Sequence, residues 1–118
     1  MHRIHLAGAA AIASLLAVHA QAVAQDAPTF RLTLKGHQFT PAELQVPAGV
    51  RFVLVVRNED PTPAEFESKE LGAEKIISAG REATIRVGPL QPGRYPFEDE
   101  FNNQAKGALV AVQKTAAE

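Results

Sequence analysis

Two glutamates, Glu65 and Glu67, flank Phe66, and three acids in a row, Glu98-Asp99-Glu100, follow Phe97. On an extended segment the first spacing puts both carboxylates on one face and sends Phe66 to the other. Like charges so placed repel unless a cation lies between them or water screens them. In the triplet, alternation carries Asp99 to the side of Tyr95 and Phe97. A carboxylate turned towards an apolar interior needs a partner, which a metal ion would supply. Glu98 reads as the exposed member. His37 is the one histidine beyond residue 19, and it stands beside Phe39-Thr40-Pro41. One imidazole with several carboxylates is a hard, oxygen-rich donor set. It suits Fe(II), Fe(III) or Mn(II) and tolerates Cu(II). The candidate metal ligands are therefore His37, Glu65, Glu67, Asp99 and Glu100. For each, an ordinary solvated or packed residue is the competing reading.

Composition narrows the chemistry further. The chain has no cysteine, and its one methionine is Met1. Thiolate catalysis, disulfide staples and cysteine-bound zinc or copper are thereby excluded. The formal net charge is -1 with no basic tract, which argues against nucleic acid as a partner. The chain carries no phosphate loop, no dinucleotide fingerprint and no Ser-His-Asp order with a flanking glycine turn.

The N-terminus has a basic start at Arg3, an apolar run Leu6 to Val18, and the small-x-small pattern Ala22-Val23-Ala24. That order predicts a secretory signal peptide over 1–24, cut after Ala24, with an uncleaved anchor as the alternative. The expected product is periplasmic, with no membrane span in the mature chain. Residues 25–118 then form one domain by length.

The elements that must position the acids are short and strand-like. Phe30, Leu32 and Leu34 alternate with Arg31, Thr33 and Lys35, and a bulge or bend is expected at Gly36. Leu44 to Val46 is extended and ends in the Pro47-Ala48-Gly49 turn. Val50 to Arg57 reads as a central strand buried on both faces. Glu65 to Ser68, Lys75 to Ile77, Glu82 to Val87, Arg94 to Phe97 and Gly107 to Gln113 complete the set, with a helical turn as one option for 69–73. Turn formers separate these runs at close intervals. About seven or eight strands and almost no helix predict an all-β, Greek-key, two-sheet β-sandwich.

The motifs also occur in a telling order. Phe39-Thr40-Pro41 comes first, then Val46-Pro47-Ala48-Gly49, Asn58-Glu59-Asp60 and Glu65-Phe66. Pro92 to Phe97 (PGRYPF) and Lys106 to Val112 (KGALVAV) follow. This series resembles the cupredoxin superfamily over nearly the whole of 25–118. The resemblance implies a cupredoxin-like sandwich and maps the blue-copper ligand positions onto Ala64, Asp99, Asn102, and Ala105 or Lys106. None of these residues can supply the thiolate, imidazoles or soft axial ligand of a type 1 centre. A narrower set is similar to the cupredoxin-like periplasmic subunits of bacterial ferrous-iron uptake systems (the EfeO/FtrB type). It comprises AEFES at 64–68, EKII at 74–77, VGPLQPGRY at 87–95 and Glu100-Phe101. That likeness implies binding of iron, with or without its oxidation, for a membrane iron permease and other periplasmic uptake subunits. Members often carry histidine where Asn102 stands and an acid where Ala64 stands. A copper carrier and a metal-free module of an envelope complex are the competing functions. For the metal-binding readings, the oxygen donors and His37 are expected to converge at the mouth of the sandwich.

Overall fold

A computed structural model describes residues 27–114. The leader and its cut after Ala24 lie outside the described residues. Among the described residues there are nine strands: β1 (Thr29–Lys35), β2 (Gln38–Thr40), β3 (Glu43–Pro47), β4 (Phe52–Asn58), β5 (Ala64–Ser68), β6 (Ala73–Ile77), β7 (Glu82–Val87), β8 (Gly93–Asp99) and β9 (Asn102–Val112). They form a four-stranded sheet in the order β2-β1-β4-β7 and a five-stranded sheet in the order β3-β9-β8-β5-β6. The β1–β4 and β3–β9 pairs are parallel and the other pairs antiparallel, so both sheets are mixed. The all-β sandwich expected from the strand pattern is the observed architecture, with short β2 adding to the strand count. Among the described residues, no helix is long and apolar enough to cross a membrane.

Alternation decides what each strand buries. Leu32 and Leu34 of β1, Phe52, Leu54 and Val56 of β4, and Ile85 and Val87 of β7 face inward from one sheet. Val46, Phe66, Ile77, Phe97 and Leu109 meet them from the other. On β4 the opposite face carries buried Val55, half-buried Val53 and exposed Arg57, so the burial expected on both faces is only partial. Three phenylalanines knit the layers beneath β5: Phe39 to Phe97 at 4.9 Å between centroids, Phe66 to Phe97 at 5.2 Å, and Phe39 to Phe66 at 6.3 Å. Two of the three contacts are edge-on, the arrangement aromatic quadrupoles favour.

The link from β1 to β2 is a two-residue hairpin turn, where a bulge or bend was expected. Lys35 pairs with Gln38, and Gly36 and His37 both have positive φ, 60° and 57°. That is the primed turn geometry that matches strand twist. Buried Asp60 holds it, accepting hydrogen bonds from the Gly36 N–H (2.5 Å) and the His37 N–H (3.0 Å). Asn58 is fully buried and fixes Asp60 in turn. Its side-chain oxygen accepts from the Asp60 N–H, while its amide donates to the carbonyls of Thr62 and Ile77. The Asn-x-Asp motif is thus a structural clasp between the hairpin, the 58–62 loop and β6.

Gly107 of β9 has a different reason to be glycine. A Cβ there would lie 2.5 Å from the Ala42 carbonyl oxygen and 2.6 Å from the Phe97 ring. The neighbouring Ala108 N–H donates to that same carbonyl, so the backbone cannot easily give way. Gly107→Ala is expected to destabilise by about 1–3 kcal/mol through overpacking. Asp60→Ala, which strands two backbone donors, is expected to cost about 2–3 kcal/mol. Urea unfolding midpoints at constant slope measure both.

Candidate metal centre

Phe66 locked into the phenylalanine cluster leaves Glu65 and Glu67 no choice of face. Both project from the outer surface of the five-stranded sheet. The neighbouring strands deliver more acid to the same surface. Across β5–β6, Glu67 pairs with Glu74 and Glu65 with Ile76. Across β5–β8, Glu67 pairs with Glu98. One step further, the Glu100 N–H donates to the Glu65 carbonyl at 2.8 Å, which extends that ladder and sets Glu100 beside Glu65. Five of six neighbouring outward positions therefore carry a carboxylate: Glu65, Glu67, Glu74, Glu98 and Glu100. Like charges directly opposite on a sheet are destabilising.

Carboxylate oxygens of Glu65, Glu74 and Glu100 come within 4.8 Å of one another. Among the described residues none of the three is in an ion pair with a Lys, Arg or His side chain. Glu65 is about nine-tenths buried, whereas Glu74 and Glu100 are open to water. Crowding shows in the acid–base chemistry. The Glu65 carboxyl is raised to about 7, first by sharing a proton with Glu74, then with Glu100, with burial and the two charges adding to the effect. Glu67 is also raised, chiefly by a shared proton with Glu100 and by burial, against a smaller opposing pull from Lys69. Three carboxylates that cannot all stay ionised without help are what a hard cation neutralises.

Of the residues singled out in the sequence, the structure brings Glu65 and Glu100 together and sets Glu67 beside them. Asp99 goes elsewhere. It is buried, and its Oδ1 accepts from the Glu65 N–H (2.9 Å) and the Phe101 N–H (3.0 Å), so its partner in the interior is backbone. This carboxylate fixes β5 against the Glu100-Phe101 turn, since Asp99 and Asn102 pair directly on either side of it. His37 is on the β1–β2 turn of the other sheet. Its ring is half-exposed and its Nδ1 lies 3.6 Å from Asp60 Oδ2. It is not in the three-carboxylate group, which sits on the outer face of a sheet instead of in the mouth of the sandwich. Glu74 was not foreseen. The period-two spacing of Glu74 and Ile76 was readable, but the register that sets Glu74 opposite Glu67 was not. The positions that the resemblance maps onto blue-copper ligands are filled by buried Ala64 and Asp99, half-buried Asn102, and buried Ala105 or exposed Lys106.

Comparison with known proteins agrees with this architecture. A cupredoxin-like domain family model matches residues 8–111. The uncharacterised protein RP394 of Rickettsia prowazekii (strain Madrid E) is 36% identical over 82 residues, covering 70% of this chain and 66% of that protein. The chain thus spans just under two thirds of that relative's length. Among solved structures, the fold is similar to the metal-binding domain of the Streptococcus pneumoniae D39 Cu(I)-exporting P-type ATPase CopA. That match has 24% identity, a TM-score of 0.62, and covers 71% of this chain and 84% of that one. It is also similar to a purple cupredoxin from Nitrosopumilus maritimus (16%, TM-score 0.55, 74% and 100% covered). Auracyanin from Roseiflexus castenholzii is a third (14%, TM-score 0.61, 74% and 98% covered). At these identities the structural likeness speaks for the fold alone. With nine strands in two mixed sheets and a family model spanning most of its length, the chain belongs to the cupredoxin-like domain family.

Proposed function

We propose that this protein binds iron through the outer-face carboxylates and serves ferrous-iron uptake in the periplasm, passing the metal to a membrane iron permease. The observation that carries the reading is the approach of Glu65, Glu74 and Glu100 within 4.8 Å with, among the described residues, no basic side chain paired to them. Oxygen donors select hard cations. The motifs AEFES, EKII and VGPLQPGRY support the uptake role by their likeness to ferrous-iron uptake subunits. Anionic oxygens favour Fe(III) over Fe(II), so such a site assists oxidation where an electron acceptor is supplied. Copper carriage is the second reading, supported by the copper named in the CopA structure. With no cysteine and Met1 the one methionine, the soft donors that hold Cu(I) are missing, so this reading requires Cu(II). Anaerobic competition between Fe(II) and Cu(II) separates the two.

Isothermal titration with Mn(II), or with Fe(II) under anaerobic conditions, is expected to show saturable binding to the intact protein. Glu65→Gln, Glu74→Gln and Glu100→Gln should each weaken it at least tenfold, whereas His37→Ala should leave it unchanged. Absence of binding, or binding untouched by all three glutamine variants, contradicts the proposal.

The raised Glu65 carboxyl gives a pH signature. A cation must displace its proton, so affinity should climb from pH 5 through 7 and level off above. In the cation-free protein the folded value of about 7 lies above the ordinary 4.5. The neutral form therefore favours the folded state, and that contribution is lost as pH rises through 7. Thermal melts of cation-free protein should fall between pH 5 and 8, and Glu65→Gln should flatten the fall.

A further inference from the structure

Among the described residues, the sheet edges are β2 and β7 on one sheet and β3 and β6 on the other. An edge strand offers backbone N–H and C=O groups to any strand that meets it, unless brevity, proline, a bulge or charge blunts it. Three of the four edges are blunted. β2 has three residues, β3 ends in Pro47, and β7 shows exposed Glu82, Thr84 and Arg86. β6 is different. It runs five residues without proline, in unbroken register with β5. It also presents Ile76, the most open of the large exposed apolar side chains among the described residues, at 67%. Glu74 and Ile76 lie on the outer face of the sheet, whereas exposed Lys75 borders the cleft between β6 and β7.

We propose that β6 pairs antiparallel with β6 of a second copy of this chain, about a two-fold axis at Ile76. Such an axis, perpendicular to the sheet, keeps outward side chains outward and sets the residue on the axis opposite itself. The charges of β6 select the register. Centred on Glu74, two carboxylates would meet directly, and centred on Lys75, two ammonium groups would. Like charges directly opposite destabilise a sheet. Centred on Ile76, the two isoleucines cover each other, Lys75 faces Ile77, and Glu74 faces Ser78. At about 4.8 Å between strands and 3.4 Å per residue, the two Glu74 then lie roughly 14 Å apart, as do the two Glu65. That exceeds the Debye length of about 8 Å at physiological ionic strength, so their repulsion is largely screened. The two Lys75 come closest, at roughly 8 Å, but on the opposite face and in water. The two five-stranded sheets continue as one, with both carboxylate groups on a single outer face. The association requires no cation and stands apart from the iron reading.

Sedimentation velocity on the intact protein, freed of cations with EDTA and held at physiological salt, is expected to show a monomer–dimer equilibrium that shifts with concentration. Ile76→Lys, which sets two ammonium groups on the axis, should weaken the dimer at least tenfold and leave the circular dichroism unchanged. Because the chain has no cysteine, single cysteines report the register. Of Glu74→Cys, Lys75→Cys and Ile76→Cys, the last should cross-link fastest under mild oxidation. Residues directly opposed bring their Cβ atoms near the roughly 4 Å that a disulfide needs. A protein that stays monomeric up to about 1 mM overturns the proposal. So does a dimer untouched by Ile76→Lys, or fastest cross-linking at position 74 or 75. None of these outcomes bears on the cation site, which is tested separately by titration.

Discussion

One buried carboxylate organises the acidic face without belonging to it. Asp99 accepts the Glu65 and Phe101 N–H groups on a single oxygen, which joins the start of β5 to the tight turn after β8. Charge-assisted hydrogen bonds of this kind are about twice as strong as neutral ones. A buried carboxylate left without them would be costly. Because Asp99 fixes that junction, the Glu100 N–H can reach the Glu65 carbonyl, and the two glutamates arrive side by side. Without Asp99, the turn carrying Glu100 has no reason to sit over β5.

The inward and outward faces of the five-stranded sheet thereby have separate tasks. Inward, Phe39, Phe66 and Phe97 fill the space with apolar contacts, while Ala64 and Ala105 leave no donor for a metal. Outward, the same alternation aligns glutamates from three neighbouring strands or their extensions. Core packing holds the strands against the repulsion this creates, so the acidic face is strained in charge but not in backbone. A divalent or trivalent cation bound there, as proposed above, would relieve that repulsion and stabilise the fold. On that proposal, stability and metal binding would report one electrostatic balance.

Much of this arrangement was legible from residue order. Period-two runs gave the strands, and the Glu65-Phe66-Glu67 spacing gave two carboxylates on one face with the aromatic inside. The inward turn of Asp99 was also legible, but not its partner, because backbone N–H groups leave no mark in a sequence. His37 drew attention as a lone imidazole, yet Gly36-His37 is a hairpin turn whose donors belong to Asp60, more than twenty residues away. Glu74, noted only within the EKII motif, was left out of the candidate ligands because its meaning depends on which residue of β5 it faces. β9 begins at Asn102, earlier than the apolar pattern at Gly107 suggests, because the register shift after Glu98 lets the mostly polar residues 102–106 join the strand. Local periodicity was readable, whereas long-range pairing had to be seen.

The most direct test is to locate the ion. Crystals of the protein grown with Mn(II) should give an anomalous peak on the outer face of the five-stranded sheet, at bonding distance from Glu65, Glu74 and Glu100. A peak inside the sandwich end beside Asp99 and Asn102, or at His37 with the outer face empty, would contradict the account.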